Sequence, residues 1–269
     1  MLNGQLDLVC EADEQGHSFI GRQSFRAPFH ISKPYWDGHA LLVQIVNPTA
    51  GVLAGDVLAS RVAVESGARL LLTTPSANRI HAMPTGSASL EQHFSVADGA
   101  WLEVMPELFI PQAQCRYRQC TTIDVAAGGE LFFVETLAPG RVARGEIFEF
   151  SEIEWEFELR HAGTLIARER FALQPSDEST SSLRHPFPTG YYASCYIVTP
   201  RLSPEHEVWR VIHELTSETV MVGASRLVAG GSTIKILAAD SIALQRTLRS
   251  IRALLAPWLP PLLSAARKL

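Results

Sequence analysis

A glycine-centred segment that recurs along the chain limits its possible folds more than any single strand or helix does. Val64-Glu65-Ser66-Gly67-Ala68-Arg69-Leu70 returns as Val96-Ala97-Asp98-Gly99-Ala100-Trp101-Leu102, and more loosely as Val125-Ala126-Ala127-Gly128-Gly129-Glu130-Leu131. Gly67, Gly99 and Gly128 are therefore 32 and 29 residues apart. Each copy reads as a strand entering a tight turn, where glycine can take a positive φ, and a second strand leaving it as in a hairpin. Units of this length bury their apolar faces only by stacking on their neighbours. The expected fold is mainly β, a layered solenoid-like body.

The flanking sequence extends this pattern and then changes it. Leu41 to Val46 is a short apolar run closed by the turn-forming pair Asn47-Pro48. From Ser151 to Arg160, Ile153, Trp155, Phe157 and Leu159 alternate with Glu152, Glu154, Glu156 and Glu158, predicting a strand with one apolar and one acidic face. His161-Ala162-Gly163-Thr164 then turns the chain into Leu165–Phe171. After the polar stretch Gln174–Ser182 comes a β-α-β-β-α pattern: strands near Tyr192–Val198, Thr219–Val222 and Thr233–Leu237, and two helices. The first helix is expected to open at Ser203-Pro204-Glu205, with Ser as N-cap and Pro at the first helical position. The second is expected to start near Asp240, with Ile242, Leu244, Leu248, Ile251, Leu254 and Leu255 inward, Arg246, Arg249 and Arg252 outward, and Pro257 ending it. Residues 1–190 thus read as the layered β domain and 191–269 as a small α+β layer packed on it, or the two together as one continuous domain.

Chemistry-bearing motifs are scarce. The sequence has no P-loop, no G-x-S-x-G elbow, no H-E-x-x-H and no C-x-x-C. The nine histidines are scattered. Cys115 and Cys120 form the nearest thiol pair, but a separation of five on a strand points them to opposite faces, so unrelated, partly buried thiols are expected. The glutamate column reads as a solvated outer strand face. A net charge of −5 argues against a nucleic-acid surface. The N-terminus lacks a signal-peptide layout and no uncharged apolar run reaches the roughly 18 residues of a membrane helix, so a cytoplasmic protein is expected. A carbohydrate-active enzyme on a β-solenoid would need paired acids, Glu103 with Glu107 or Glu135 with Glu146, and usually exposed aromatic platforms. Aromatic residues make up only 8%.

Several stretches, taken in order, carry a resemblance. Asn47-Pro48-x-x-Gly51-x-x-x-Gly55-Asp56-x-Leu58 resembles the N-P-x-G-G-x-x-x-G-D-x-L stretch of the UreD (UreH) family of urease accessory proteins. Gly67-Ala68, Thr73-Thr74-Pro75-x-Ala77, Gly99-Ala100-x-Leu102-Glu103-x-x-Pro106 and Arg116-Tyr117-x-Gln119 follow at the family spacing. Gly140-Arg141-x-Ala143-x-Gly145-Glu146-x-Phe148 is similar to G-R-x-A-x-G-E-x-F, and Gly231–Leu237 fits the tail. Departures stand at Arg79, where many members have Lys, at His81 in place of an aromatic, and at Glu107-Leu108 after Pro106. They bear on partner contacts and leave open a related scaffold with another client.

The resemblance implies a non-enzymatic maturation chaperone. It would act with the urease apoprotein, a helical bridging protein of the UreF type and a nickel-carrying GTPase of the UreG type, without nucleic acid or membrane. No tightly bound cofactor is implied, only transient Ni²⁺. Asn47, Pro48, Gly51, Gly55, Asp56, Thr73, Thr74, Glu103, Pro106, Arg141, Gly145 and Glu146 are the structural or partner-binding positions. Asp56, Glu103, Arg141 and Glu146 are expected to pair across turns; Asp56, Glu103 and Glu146 are the weak candidates for nickel transit, with Cys115 and Cys120 behind them. A carrier needs ligands that let go, and a tight Cys/His cage would trap nickel.

Overall fold

A computed structural model describes residues 3–49, 51–175, 180–203 and 205–259. The chain begins with β1 (Asn3–Ala12) and β2 (Ser18–Arg26), followed by β3 (His30–Ile31), β4 (Tyr35–Asp37) and β5 (Ala40–Val46). Three rungs follow. They are β6 (Val57–Val64), β7 (Arg69–Thr73) and β8 (Asn78–Ile80); then β9 (Ala88–Val96), β10 (Trp101–Val104) and β11 (Phe109–Pro111); then β12 (Arg116–Val125) and β13 (Glu130–Leu137) with a 3-10 turn at Val142–Arg144. The remainder is β14 (Glu152–His161), β15 (Thr164–Leu173), α1 (Ser181–Arg184), β16 (Tyr191–Val198), α2 (Val208–His213), β17 (Val220–Arg226), β18 (Ser232–Ala238) and α3 (Ser241–Leu255).

Two large sheets face each other. The first has the order β15-β14-β12-β9-β6-β1-β2, the second β17-β18-β16-β13-β10-β7-β5-β3, with β4 also on β5; β8 and β11 make a small third sheet. The middle of each large sheet is parallel. β6 pairs β9 with Val57 opposite Ser89, and β9 pairs β12 with Ala88 opposite Tyr117, offsets of 32 and 29 residues that reproduce the glycine spacing. β7, β10 and β13 repeat the same offsets. The mainly β, solenoid-like body is therefore as expected.

The hairpin reading of the repeat is corrected. β6 and β7 do not pair; each goes to a different sheet, and so do β9 with β10 and β12 with β13. The glycine turns are arches. Each is closed by the same backbone bond, Ala68 N to Glu65 O at 3.0 Å, Ala100 N to Ala97 O at 3.1 Å and Gly129 N to Ala126 O at 3.0 Å. The strands on both sides carry apolar inner faces, so they bury face to face and find their ladder partners one rung away. Gly67 and Gly99 take positive φ, 77° and 71°. Gly128 does not; there a backbone bond from Gly99 N to Gly128 O, 2.9 Å, ties one arch to the next. Antiparallel strands cover both ends of the stack, β2, β3 and β4 at one and β15 to β18 at the other, as repeat arrays need at their termini.

The layers account for the burial pattern. Between the sheets pack Leu6, Leu8, Val62, Val64, Phe94 and Ile123 from one side and Leu41, Leu70, Leu102, Leu131, Phe133 and Tyr196 from the other. The outer face of the second sheet, with Trp101, Phe132, Ile234 and Ile236, is covered by Leu244, Leu248, Ile251 and Leu255 of α3 and by Val208 and Ile212 of α2. β13 pairs β16, so the second sheet runs on across residues 190 and 191. On the outer face of the first sheet the glutamate column is solvated and laddered to arginines: Arg118 meets Glu154 and Glu156, Arg170 meets Glu156, and Arg168 meets Glu158.

Three helix assignments need correction. α2 starts at Val208, not at Ser203, with Glu207 at its N-cap position and the His206 ring accepting the Val208 N–H at 3.1 Å; Pro204 lies outside the described residues, as do residues 176–179 of the expected linker. Ile242 is 60% exposed rather than inward, since it stands about 200° around the helix from Leu244. Arg252 is not outward: it lies about 40° from Leu248, and its side chain is only 19% exposed. Asp240 caps α3 as expected, accepting the Ala243 N–H at 2.7 Å.

Candidate functional site

Between the sheets the apolar packing gives way to a cavity of about 170 Å³. Asn47, Gly51, Thr73, Thr74 and Pro106 line it at one side, Gln92, Gln119, Glu135, Thr136 and Trp155 at another. The lining residues come from successive rungs. Thr73 ends β7 and donates its hydroxyl to Met105 O at 2.8 Å; Thr74 Oγ1 accepts the Glu107 N–H at 2.9 Å, so the strand ends of two rungs are laced together beside the cavity. Asn47 makes an Asx turn, its Oδ1 accepting from Thr49 N at 3.0 Å and its Nδ2 donating to Gly51 O at 3.0 Å. Pro48 sits inside that turn.

Gly51 is required by contact. Its φ is 151°, and a Cβ there would lie 2.3 Å from Arg79 O and 2.8 Å from His81 Nε2. Two of the departures noted in the sequence, Arg79 and His81, thus form the wall that Gly51 leans on. Val52 N donates to Arg79 O at 2.8 Å and His81 N to Val52 O at 3.0 Å.

At the inner end stands Glu135. One carboxylate oxygen accepts three hydrogen bonds, from Trp155 Nε1 at 3.0 Å, Gln119 Nε2 at 3.1 Å and Thr121 Oγ1 at 3.2 Å. Gln92 Nε2 donates to Thr121 Oγ1 at 3.1 Å and Tyr117 OH to Gln119 Oε1 at 3.2 Å, extending the network over β9, β12, β13 and β14. Glu135 is half-buried, open toward the cavity, and burial pushes its carboxyl up to about 7; the Trp155 and Thr121 hydrogen bonds and the Lys235 charge oppose this, while Glu169 adds to it. Near neutral pH the group therefore exchanges a proton readily.

Other expected residues are placed elsewhere. Asp56, 1% exposed, accepts the Leu53 N–H at 2.9 Å and fixes the turn at Gly55, whose φ is 83°. Arg141 and Glu146 pair across the 3-10 turn that Gly145 caps at φ 82°, with Arg141 Nε 2.7 Å from Glu146 Oε2. Both contacts lie within a single turn. Glu103 does not pair across a turn: it lies on the outer face of β10 and takes Arg252 of α3, at 2.8 Å to Oε1 and 3.3 Å to Oε2. Burial raises its carboxyl and the Arg252 bond and charge pull it back. Asp56, Glu103 and Glu146 are thus dispersed, and none lines the cavity. Cys115 is buried and Cys120 only partly so; burial pushes the Cys115 thiol up to about 12. No group of three or more His, Cys, Asp or Glu side chains converges among the described residues. The paired-acid arrangements expected of a glycosidase are also split. Glu103 is held by Arg252 while Glu107 reaches Gln245, two helical turns away, and Glu135 lies in the cavity while Glu146 lies in its turn.

The cavity brings in Gln92, Gln119 and, in this role, Glu135, with Thr121 behind them in the hydrogen-bond network, none of them among the expected site residues. One signal was available: Glu135 interrupts the otherwise apolar Leu131-Phe132-Phe133-Val134 run. Chemically the polar part of the lining offers two carboxylates, Glu107 and Glu135, with amides and hydroxyls and no thiol or imidazole, oxygen donors that hold a divalent transition metal weakly.

Comparison with known proteins places these features. The family described as UreD urease accessory protein matches residues 2–267. A protein of Opitutus terrae named urease accessory protein UreD is 43% identical over 99% of this chain and 98% of its own length. One of the same name from Acetivibrio thermocellus is 31% identical over 89% of this chain and 92% of its own. A third, from Herpetosiphon aurantiacus, is 31% identical over 89% of this chain and 86% of its own. Among the described residues no helix is long and apolar enough to cross a membrane. With the rung spacing, the motif residues on the cavity wall and these relatives in agreement, the chain belongs to the UreD family of urease accessory proteins.

Proposed function

We propose that this protein scaffolds the activation of urease in the cytoplasm and gives nickel a protected passage through its β body toward the urease apoprotein. In this reading it binds no tight cofactor; Ni²⁺ is transient cargo, handed on within a complex that includes a helical bridging protein and a nickel-carrying GTPase. The observation that carries the reading is a mainly apolar cavity into which a few polar side chains project. Asn47, Thr73, Thr74 and Pro106 of the family motifs meet Gln92, Gln119 and Glu135 between two sheets that are otherwise packed with aliphatic side chains.

Interior polar groups cost stability unless they are hydrogen-bonded, and this network meets that need with bonds that cross four strands. Two carboxylates, Glu107 and Glu135, with amides and hydroxyls around them suit an ion that must leave as easily as it arrives. Weak binding by the isolated protein is expected; a stoichiometric submicromolar Ni²⁺ site in equilibrium dialysis contradicts the reading.

The decisive experiment replaces interior polar groups, Glu135→Gln together with Gln92→Leu, and compares two readouts. Co-purification with the bridging protein and apo-urease should persist while nickel-dependent activation falls several-fold. Activation that survives intact, with complexes intact, favours a plain assembly scaffold in which nickel travels elsewhere.

A further inference from the structure

Beyond Glu135 the interior continues. A second, smaller cavity of about 10 Å³, room for roughly one water, shares Glu135, Thr136 and Trp155 with the first and reaches Glu169, Tyr192 and Ser194. At its far side is Lys235, on the inner face of β18. The Lys235 ammonium has three donors and three partners: the Glu169 carboxylate of β15, Ser194 Oγ at 2.9 Å and Tyr196 OH at 3.1 Å. It also lies 4.9 Å from the Tyr196 ring centroid and 5.9 Å from that of Tyr192. A carboxylate, two hydroxyls and two aromatic faces directed at one point form a cradle for a cation, and this one is filled by a side chain. Lys235 is about one-third exposed, so its flexible stem has a way out toward solvent.

We propose that Lys235 is a tethered, displaceable cation that closes the inner end of the passage, yielding its place between Glu169, Ser194 and Tyr196 to an arriving divalent metal ion. The inference rests on the passage reading above and adds the residue that regulates it. While Lys235 is seated, it neutralises the carboxylates on both sides of the second cavity and keeps the pair Glu135 and Glu169 from becoming a trap for Ni²⁺. When the ion enters, repulsion drives the ammonium outward; when the ion leaves, the ammonium returns. No bond is made or broken other than coordination and hydrogen bonds.

The test uses the free full-length chain and Ni²⁺ alone. The sequence has only three lysines, Lys33, Lys235 and Lys268, so acetylation by an amine-reactive reagent can be followed site by site by mass spectrometry. In the unaltered protein, Lys235 should label more slowly than Lys33 and should speed up as Ni²⁺ is added, with Lys33 unchanged. Removing the charge by Lys235→Met should tighten Ni²⁺ binding by about tenfold or more, and the double variant K235M/E169Q should lose that gain. Labelling of Lys235 that ignores Ni²⁺ overturns the proposal, and does so even where the variants fail to fold. An affinity unchanged in a folded K235M also overturns it. Neither result depends on urease activation, so the proposal and the passage reading can fail separately.

Discussion

Arg252→Met is the most informative single change for how the C-terminal layer is held. Glu103 is 1% exposed, and Arg252 reaches it from α3 with two hydrogen bonds, 2.8 and 3.3 Å. Removing one member of such a pair leaves a buried charge uncompensated, which costs about 3–5 kcal/mol. The carboxyl can escape part of that cost by taking up a proton. Its level is already raised by burial, and Arg252 is what lowers it; without the arginine it rises further. A folded-state value above the unfolded one means that the native protein binds more protons. Stability in Arg252→Met should therefore be best in acid and decline as pH rises past the ordinary carboxylate range. Urea denaturation at pH 5 and pH 8 measures this directly. The loss relative to the unaltered protein should be larger at pH 8, and Glu103→Gln in the same background should recover a substantial part of it. A loss below about 0.5 kcal/mol, the size of an ordinary surface change, that is equal at both pH values would refute the reasoning. Leu244, Leu248, Ile251 and Leu255 would then hold α3 unaided.

Further outcomes follow from the cavity, the turns and the thiols. Glu135, raised to about 7, makes the folded protein bind more protons between the ordinary carboxylate range and about pH 7, so its contribution to stability declines across that window and is level above it; the ceiling is about 3 kcal/mol. Glu135→Gln should flatten that part of a pH–stability curve, and an unchanged curve contradicts the assignment. Gly51→Ala drives a Cβ toward Arg79 O at 2.3 Å with φ at 151° and should cost more than about 2 kcal/mol by thermal denaturation; an unshifted midpoint denies the contact. Cys120 should be the first of the four thiols to react with a maleimide in the native state, because Cys10, Cys115 and Cys195 are buried and each pushed up to about 12. Rapid alkylation of Cys115 would mean that its loop opens.

The repeat was legible because its physics is local. A turn residue returning every 32 and 29 positions fixes the ladder offset, whichever sheet each strand enters. Which sheet that is was not legible, since the same glycine turn serves a hairpin or an arch. The choice falls to apolar inner faces on both flanking strands, Val62 and Val64 against Leu70 and Leu72, and this settles only when the rungs stack. The roles of charged residues diverged for the same reason. Arg141 and Glu146 lie five residues apart and their pairing could be expected, whereas Glu103 and Arg252 are 149 residues apart and meet only because α3 lies across β10.

That difference bears on how the site is built. The family-motif residues Asn47, Gly51, Thr73, Thr74 and Pro106 shape one wall of the cavity through turns and backbone contacts. Of the groups with ionisable chemistry, Glu135 and Glu169 come from strands with no motif around them, and only Lys235 stands in a family stretch, Gly231–Leu237. Each points inward from an otherwise ordinary alternating or apolar strand, which makes it inconspicuous in sequence and costly in the fold. The Glu135 carboxylate is held by three hydrogen bonds and the Lys235 ammonium by three partners, so the fold satisfies each group through contacts that form only when the strands of both sheets have stacked.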